Sequence, residues 1–177
     1  GNQYGVFYGV KGAWNIDREN FLINSKTISA LRLRLSYGST GNDQIGNFDA
    51  LGLFGGGGIY NGGAGIAYTQ LANPNLKWET TTLSNVGLDL GLFDNRANVT
   101  VEVYNKQTKD VLLNLPLQST TGFTSIAYNV GKVENKGIEV ELKGDVIQAK
   151  RAGGFNWNMN FNFAYNAQKV KELFGGN

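Results

Sequence analysis

The feature that most constrains this chain is a strict alternation of apolar and polar residues, held for about ten residues or more at a time in six separate stretches. A period of two is the side-chain period of a β-strand, and no helix can present it as one face. The first stretch runs from Tyr4 to Ile16, with Tyr4, Val6, Tyr8, Val10, Gly12, Trp14 and Ile16 on one parity and Gly5, Gly9, Lys11 and Asn15 on the other. The second, Leu31 to Ser39, sets Leu31, Leu33, Leu35 and Tyr37 against Arg32, Arg34 and Ser36. The third covers Leu76 to Leu92, the fourth Ala97 to Asp110, the fifth Tyr128 to Val146 and the sixth Phe155 to Gln168. Their apolar parities carry Val86, Leu88, Leu90 and Leu92; Val99, Val101 and Val103; Ile138, Val140 and Leu142; and Phe155, Trp157, Met159, Phe161, Phe163 and Tyr165.

The spacers between these stretches alternate in length. Asp94-Asn95 marks a tight turn, 147–154 is a modest link, and 17–29 has room for a short helix capped by Asn15 or Asp17. The spacers 40–75 and 111–127 are long, and the first carries the glycine runs Gly55 to Gly58 and Gly62-Gly63-Ala64-Gly65. The expected fold class is therefore all-β, with antiparallel up-and-down strands joined by short turns at one end and long loops at the other. That asymmetry is the pattern of transmembrane β-barrels, whose short turns are periplasmic and whose long loops are external.

A soluble β-sandwich also alternates apolar and polar residues. Three observations favour lipid against the apolar parity. Soluble strands usually run about five or six residues, and these are longer. Tyr4 and Trp14 lie ten positions apart on one face, roughly 24 Å along the normal for a strand tilted near 45°, close to the height of a barrel's apolar band between its aromatic girdles. Trp157 and Tyr165 bracket Met159, Phe161 and Phe163 in the same way, and Trp and Tyr suit an interface because one end is apolar and the other hydrogen-bonds. The opposite parity is polar, with Asn156, Asn158, Asn160 and Asn162 in a row, as a water-filled lumen requires. The expected roles are lipid contact for Val6, Leu33, Leu88, Val101, Val140 and Phe161, girdle for Tyr4, Trp14, Trp157 and Tyr165, and lumen lining for Arg34, Asn158 and Asn160. A soluble carbohydrate-binding sandwich or surface adhesin remains the alternative on pattern alone.

Composition narrows the function. The chain has no cysteine and no histidine, which removes thiol and imidazole catalysis, Cys/His metal sites and disulfides together. A net charge of +2 gives no electrostatic case for nucleic acid. No stretch of about 18 apolar residues is present for a membrane helix, and no signal peptide heads the sequence. Glu139 and Glu141 stand at roughly the spacing of a glycosidase pair, but two neighbours on one strand cannot flank a sugar from opposite sides. The glycines at 55–58 lack the Gly-Lys-Ser/Thr ending of a phosphate loop. No catalytic, metal or cofactor site is expected. Tyr60, Tyr68, Phe123 and Tyr128 fall in or near the long spacers, where they could stack on a ligand or pack the loops on the rim.

Several segments, in order, resemble the SusC/RagA family of TonB-dependent outer-membrane transporters. They are Tyr4-Gly5-Val6-Phe7 and Ala13-Trp14-Asn15-Ile16; Leu31-Arg32-Leu33-Arg34-Leu35-Ser36-Tyr37-Gly38-Ser39-Thr40-Gly41-Asn42; and Asn73-Pro74-Asn75-Leu76-Lys77-Trp78-Glu79-Thr80-Thr81. Gly87-Leu88-Asp89-Leu90-Gly91-Leu92-Phe93-Asp94-Asn95-Arg96, Tyr104-Asn105-Lys106-Gln107-Thr108-Lys109-Asp110 and Asn129-Val130-Gly131-Lys132-Val133-Glu134-Asn135-Lys136-Gly137-Ile138-Glu139 continue it. Tyr8 stands where the family pattern has proline. The resemblance implies a large barrel with an N-terminal plug in the outer membrane of a Gram-negative bacterium. It also implies a SusD-like lipoprotein partner, energy delivered by TonB, and oligosaccharide or peptide cargo. On that resemblance residues 1–177 are a partial barrel domain from the C-terminal half, without signal peptide or plug. Isolated from its neighbours, such a wall is expected to self-associate through its edges and apolar face.

Overall fold

The computed structural model describes residues 4–43, 46, 48–149, 151 and 153–173, with the backbone alone at Tyr60. Six long strands form one antiparallel sheet: β1 (Gly9–Asn15), β2 (Ile28–Asn42), β5 (Glu79–Leu92), β6 (Ala97–Lys109), β9 (Lys132–Ile147) and β10 (Trp157–Glu172). They lie side by side in that order, so each pairs with the next of the six along the chain. Two hairpins stand apart from the sheet, β3 (Leu53–Tyr60) with β4 (Gly63–Gln70) and β7 (Leu112–Pro116) with β8 (Ser125–Asn129). No helix among the described residues is long and apolar enough to cross a membrane.

Register follows the alternation, because a slip of one residue would turn every apolar side chain to the wrong face. One line of partners crosses the whole sheet: Trp14 opposite Leu33, then Leu88, Val101, Val140 and Phe163. The adjacent line on the other face runs Ala13, Arg34, Gly87, Glu102, Glu139 and Ala164. All six strands therefore agree on which face is apolar.

The connections alternate as the spacers do. Segments 16–27, 93–96 and 148–156 join strands at one end; 43–78 and 110–131 join them at the other, and each of these two holds a hairpin. Phe93, Asp94 and Asn95 all take positive φ, which lets four residues reverse the chain between β5 and β6. The expected helix in 17–29 is a single 3-10 turn, Ile16–Arg18. Asn15 occupies its N-cap position without making a side-chain cap bond; the Asp17 carboxylate instead accepts from the Leu31 N–H at 3.2 Å, tying the turn to β2.

Two further expectations need correction. The first strand starts at Gly9, so Tyr4 and Val6 precede it and stand 92% exposed. The glycine-rich stretch is no featureless loop: Gly55 to Gly58 lie in β3 and Gly63 and Gly65 in β4.

Candidate functional site: an apolar face, a polar wall and a rim

Among the described residues nothing covers the apolar face. Leu35, Val86, Val103 and Phe163 are 51%, 47%, 48% and 50% exposed. A sandwich would bury these residues beneath a second sheet, and the described residues supply none against this face. The two hydrophobic residues buried in the described structure, Leu76 and Val130, lie at the long-connector end instead.

The aromatic edges of the apolar face run obliquely across the strands. Trp14 on β1 shares its line of partners with Phe163 on β10, yet the corresponding rim tryptophan of β10 is Trp157, six residues further down. That offset is about 20 Å over five interstrand steps of about 4.8 Å, an angle near 40°. At the other edge the Ser39 N–H donates to the Tyr8 carbonyl at 2.7 Å, and Ser39 shares its line with Lys169. Tyr165 lies four residues short of Lys169, an angle near 30°. Strands of membrane barrels tilt by about 35–45°, so a level band drawn on tilted strands slants across the register in this way. The polar end of Trp14 is satisfied at the rim, its Nε1–H donating to Glu19 Oε1 at 2.8 Å.

The polar face is ordered by charge. Arg34 lies across the sheet onto the neighbouring strand, its Nε and Nη2 donating to Asp89 Oδ2 at 2.8 Å and Oδ1 at 3.0 Å, with Glu102 Oε2 at 3.7 Å. Thr100 Oγ1 donates to Asp89 at 3.3 Å, and the Asn85 amide donates to Glu102. Gly87 leaves room for the crossing: a Cβ there would fall 2.8 Å from Arg34 Nη2, so the guanidinium end would have to shift. Lys11, Arg32, Arg34, Ser36 and Asn85 line a shallow groove over β1, β2 and β5. Farther along, Glu102 and Glu139 stand directly opposite one another, while Glu141 pairs with Lys143 of its own strand at 2.8 Å. The carboxylates at 139 and 141 thus share one strand face, without the opposed arrangement that sugar hydrolysis needs.

Asn158 and Asn160 lie on this same face, opposite Asp145 and Lys143. They are not brought to Arg34: β10 and β2 are separated by β5, β6 and β9, about 19 Å of sheet. The aromatic candidates also stay on separate elements. Tyr68 is on β4, its ring 4.0 Å from that of Phe54; Phe123 follows the 3-10 turn Ser119–Thr121; Tyr128 is on β8 opposite Leu113. The side chain of Tyr60 lies outside the described residues.

The sequence reading missed the rim. Asn73, 5% exposed, donates from Nδ2 to the Ala127 carbonyl at 2.8 Å. Asn129 imitates a strand partner for Lys77, accepting from its N–H at 2.9 Å and donating to its carbonyl at 2.7 Å, and donates also to the Asp110 carbonyl at 2.9 Å. The Lys77 ammonium meets Asp110 at 2.9 Å. Glu79 bridges Asn42 Nδ2 at 2.9 Å and the Leu112 N–H at 2.7 Å. These bonds are made by close chain neighbours of the buried Leu76 and Val130 and fasten the two long connectors to each other. The signal was available in the polar-apolar motifs around Asn73 and Asn129, which look like loop sequence until their partners are known.

On the apolar face beyond Ile138, towards the long connectors, the residues turn charged. Glu134 is held between Lys171 Nζ at 2.8 Å and Lys136 Nζ at 3.1 Å.

The model of the TonB dependent receptor-like β-barrel family matches residues 13–177. The chain is 43% identical to TonB-dependent receptor P39 of Formosa agariphila, over 96% of this chain and 16% of that protein. It is 33% identical to the TonB-dependent receptor SusC of Bacteroides thetaiotaomicron, over 99% of this chain and 18% of that one. Among solved structures, a chain of the RagAB peptide transporter superposes with a TM-score of 0.85 at 36% identity, covering 96% of this chain and 18% of that chain. The chain thus spans less than a fifth of the length of these relatives. An unclosed six-stranded wall, a single uncovered apolar face with slanting aromatic edges, and these matches place the chain in the TonB-dependent receptor β-barrel family, among relatives of the SusC/RagA type.

Proposed function

We propose that these residues form part of the wall of an outer-membrane importer of the SusC/RagA type. The apolar face meets lipid, the polar face lines the lumen, the short turns face the periplasm and the hairpin-bearing connectors face outward. The observation that carries this reading is the continuous apolar line from Trp14 to Phe163 on a face where Trp14, Leu35, Val86, Val103 and Phe163 stand about half exposed. Lipid is the one solvent in which leaving that face open costs nothing, and pairing each strand with its neighbours is how a sheet satisfies its backbone there.

In the whole protein, transport draws its energy from TonB and is shared with a SusD-like lipoprotein seated over the external connectors. The cargo is an oligosaccharide or a peptide; the RagAB relative is a peptide transporter, and this favours peptides as the first cargo to try. Arg34, Asn158 and Asn160 contribute to the lumen wall, and Tyr68, Phe123 and Tyr128 to the external rim.

The test is made on the full-length protein. Phe161→Lys places a charge on the lipid face and is expected to reduce outer-membrane assembly, by roughly 2–4 kcal/mol near the midplane, whereas Asn160→Lys on the other face should assemble normally. Equal assembly of the two variants would overturn the assignment of faces. Uptake of labelled peptide that persists when TonB is deleted would overturn the transport reading.

A further inference from the structure

The outward positions of the six strands, those sharing a parity with the apolar face, carry five lysines: Lys109, Lys132, Lys136, Lys169 and Lys171. All five lie at the long-connector end. The outward positions at the short-turn end carry neither lysine nor arginine; Leu92, Ala97, Gly144, Val146 and Trp157 occupy them. The lysines begin immediately past the apolar band, Lys136 two residues beyond Ile138 and Lys132 six residues beyond, which is about 5 to 14 Å above the band on tilted strands.

The arrangement is not self-neutralised. Glu134 serves Lys136 and Lys171. Lys109 and Lys132 stand directly opposite each other on β6 and β9, a like-charge pairing that destabilises a sheet unless an anion joins it. A register shift between Val170 and Glu172 brings Glu172 opposite Lys132 as the remaining acid in the group, so five lysines against two acids leave three positive charges in excess. Their height, just above hydrocarbon, and their confinement to one rim match one kind of counter-ion: phosphate fixed at the surface of a lipid leaflet.

We propose that Lys109, Lys132 and Lys169, aided by Lys136 and Lys171, form a site on the outer wall for the phosphate-bearing headgroup of an outer-leaflet lipid, whose chains lie along the apolar face below. The site rests on the membrane orientation proposed above. Phosphate oxygens would sit between the lysines of β6 and β9 and relieve their repulsion, as clustered lysines do at anionic membrane surfaces.

The experiment uses the full-length protein purified from outer membranes in mild detergent, with lipid A and enzymatically dephosphorylated lipid A as probes, and native mass spectrometry to count bound lipid. Wild type is expected to retain phosphorylated lipid A and to bind the dephosphorylated form about ten-fold or more weakly. Lys109→Gln/Lys132→Gln/Lys169→Gln should lose that preference, and the corresponding triple arginine variant should keep it. Equal binding of both lipids by wild type, or an unchanged preference in the glutamine variant, overturns the site. Should the glutamine variant fail to fold, a salt titration of wild type decides: lipid A binding that does not weaken with rising ionic strength also overturns it. If wild type does not fractionate with the outer membrane at all, the orientation itself fails and the lipid site with it, a result distinct from insertion without phosphate preference.

Discussion

Arg34 shows how little of an ion pair's worth resides in the pair itself. Its side chain and that of Asp89 are each 35% exposed, so water screens their attraction and the pair contributes about 1 kcal/mol or less. Asp89→Asn in the full-length protein is expected to lower thermal stability only slightly. Gly87→Val is expected to cost little as well, because the group its side chain would displace is the free end of the guanidinium rather than backbone. Thermal melts of the two variants check this, and a large loss from either would contradict it. Gly137 plays the same part for Tyr104, whose ring lies over it closely enough that a Cβ would fall 2.4 Å from the ring. At this scale the sequence was readable as to face and silent as to partner. Alternation put Arg34 on the polar side, but Asp89 is 55 positions away, and only the pairing of β2 with β5 brings them together. Asn158 and Asn160 share the polar face with Arg34, with nothing in their spacing to tell that 19 Å of sheet, roughly four strand spacings, separates them from it.

The long strands of the main sheet other than β1 were the legible elements, the edge strand β10 included. Their side chains alternate between one apolar and one polar face, and the sequence alternation is correspondingly clean. β3 and β4 pair only with each other; their glycines have no side chain with which to alternate, so the hairpin read as loop. β1 was drawn too long because its even-numbered apolar residues continue back to Tyr4 while the backbone pairing does not. The rim was illegible for a different reason: Asn73, Lys77 and Asn129 act through main-chain groups of distant segments, and such bonds leave no periodicity. Their importance can be measured. Asn129→Ala removes three hydrogen bonds to backbone groups and should destabilise the rim by about 1–3 kcal/mol. Limited proteolysis of the full-length protein should then cut faster in both 43–78 and 110–131, because one residue holds both. Faster cutting in only one of them would show that the connectors are fastened independently.

The sheet as a whole has an uncovered apolar face, and its edge strands β1 and β10 pair on one side only among the described residues. Expressed alone, residues 1–177 are expected to associate through those edges and that face, or to need detergent. Light scattering showing a stable folded monomer in detergent-free buffer would contradict this. The oblique aromatic edges carry a last consequence, for perimeter. Strands about 4.8 Å apart and tilted near 40° each occupy about 6 Å of a barrel's circumference. Six of them supply about 38 Å, an arc near 100° if the ring has the 22 strands of outer-membrane transporters. On the importer reading proposed above, a molecule passing through such a ring meets these polar side chains on roughly one quarter of its circuit, so a substitution at Arg34 or Asn160 is expected to shift cargo preference without deciding it.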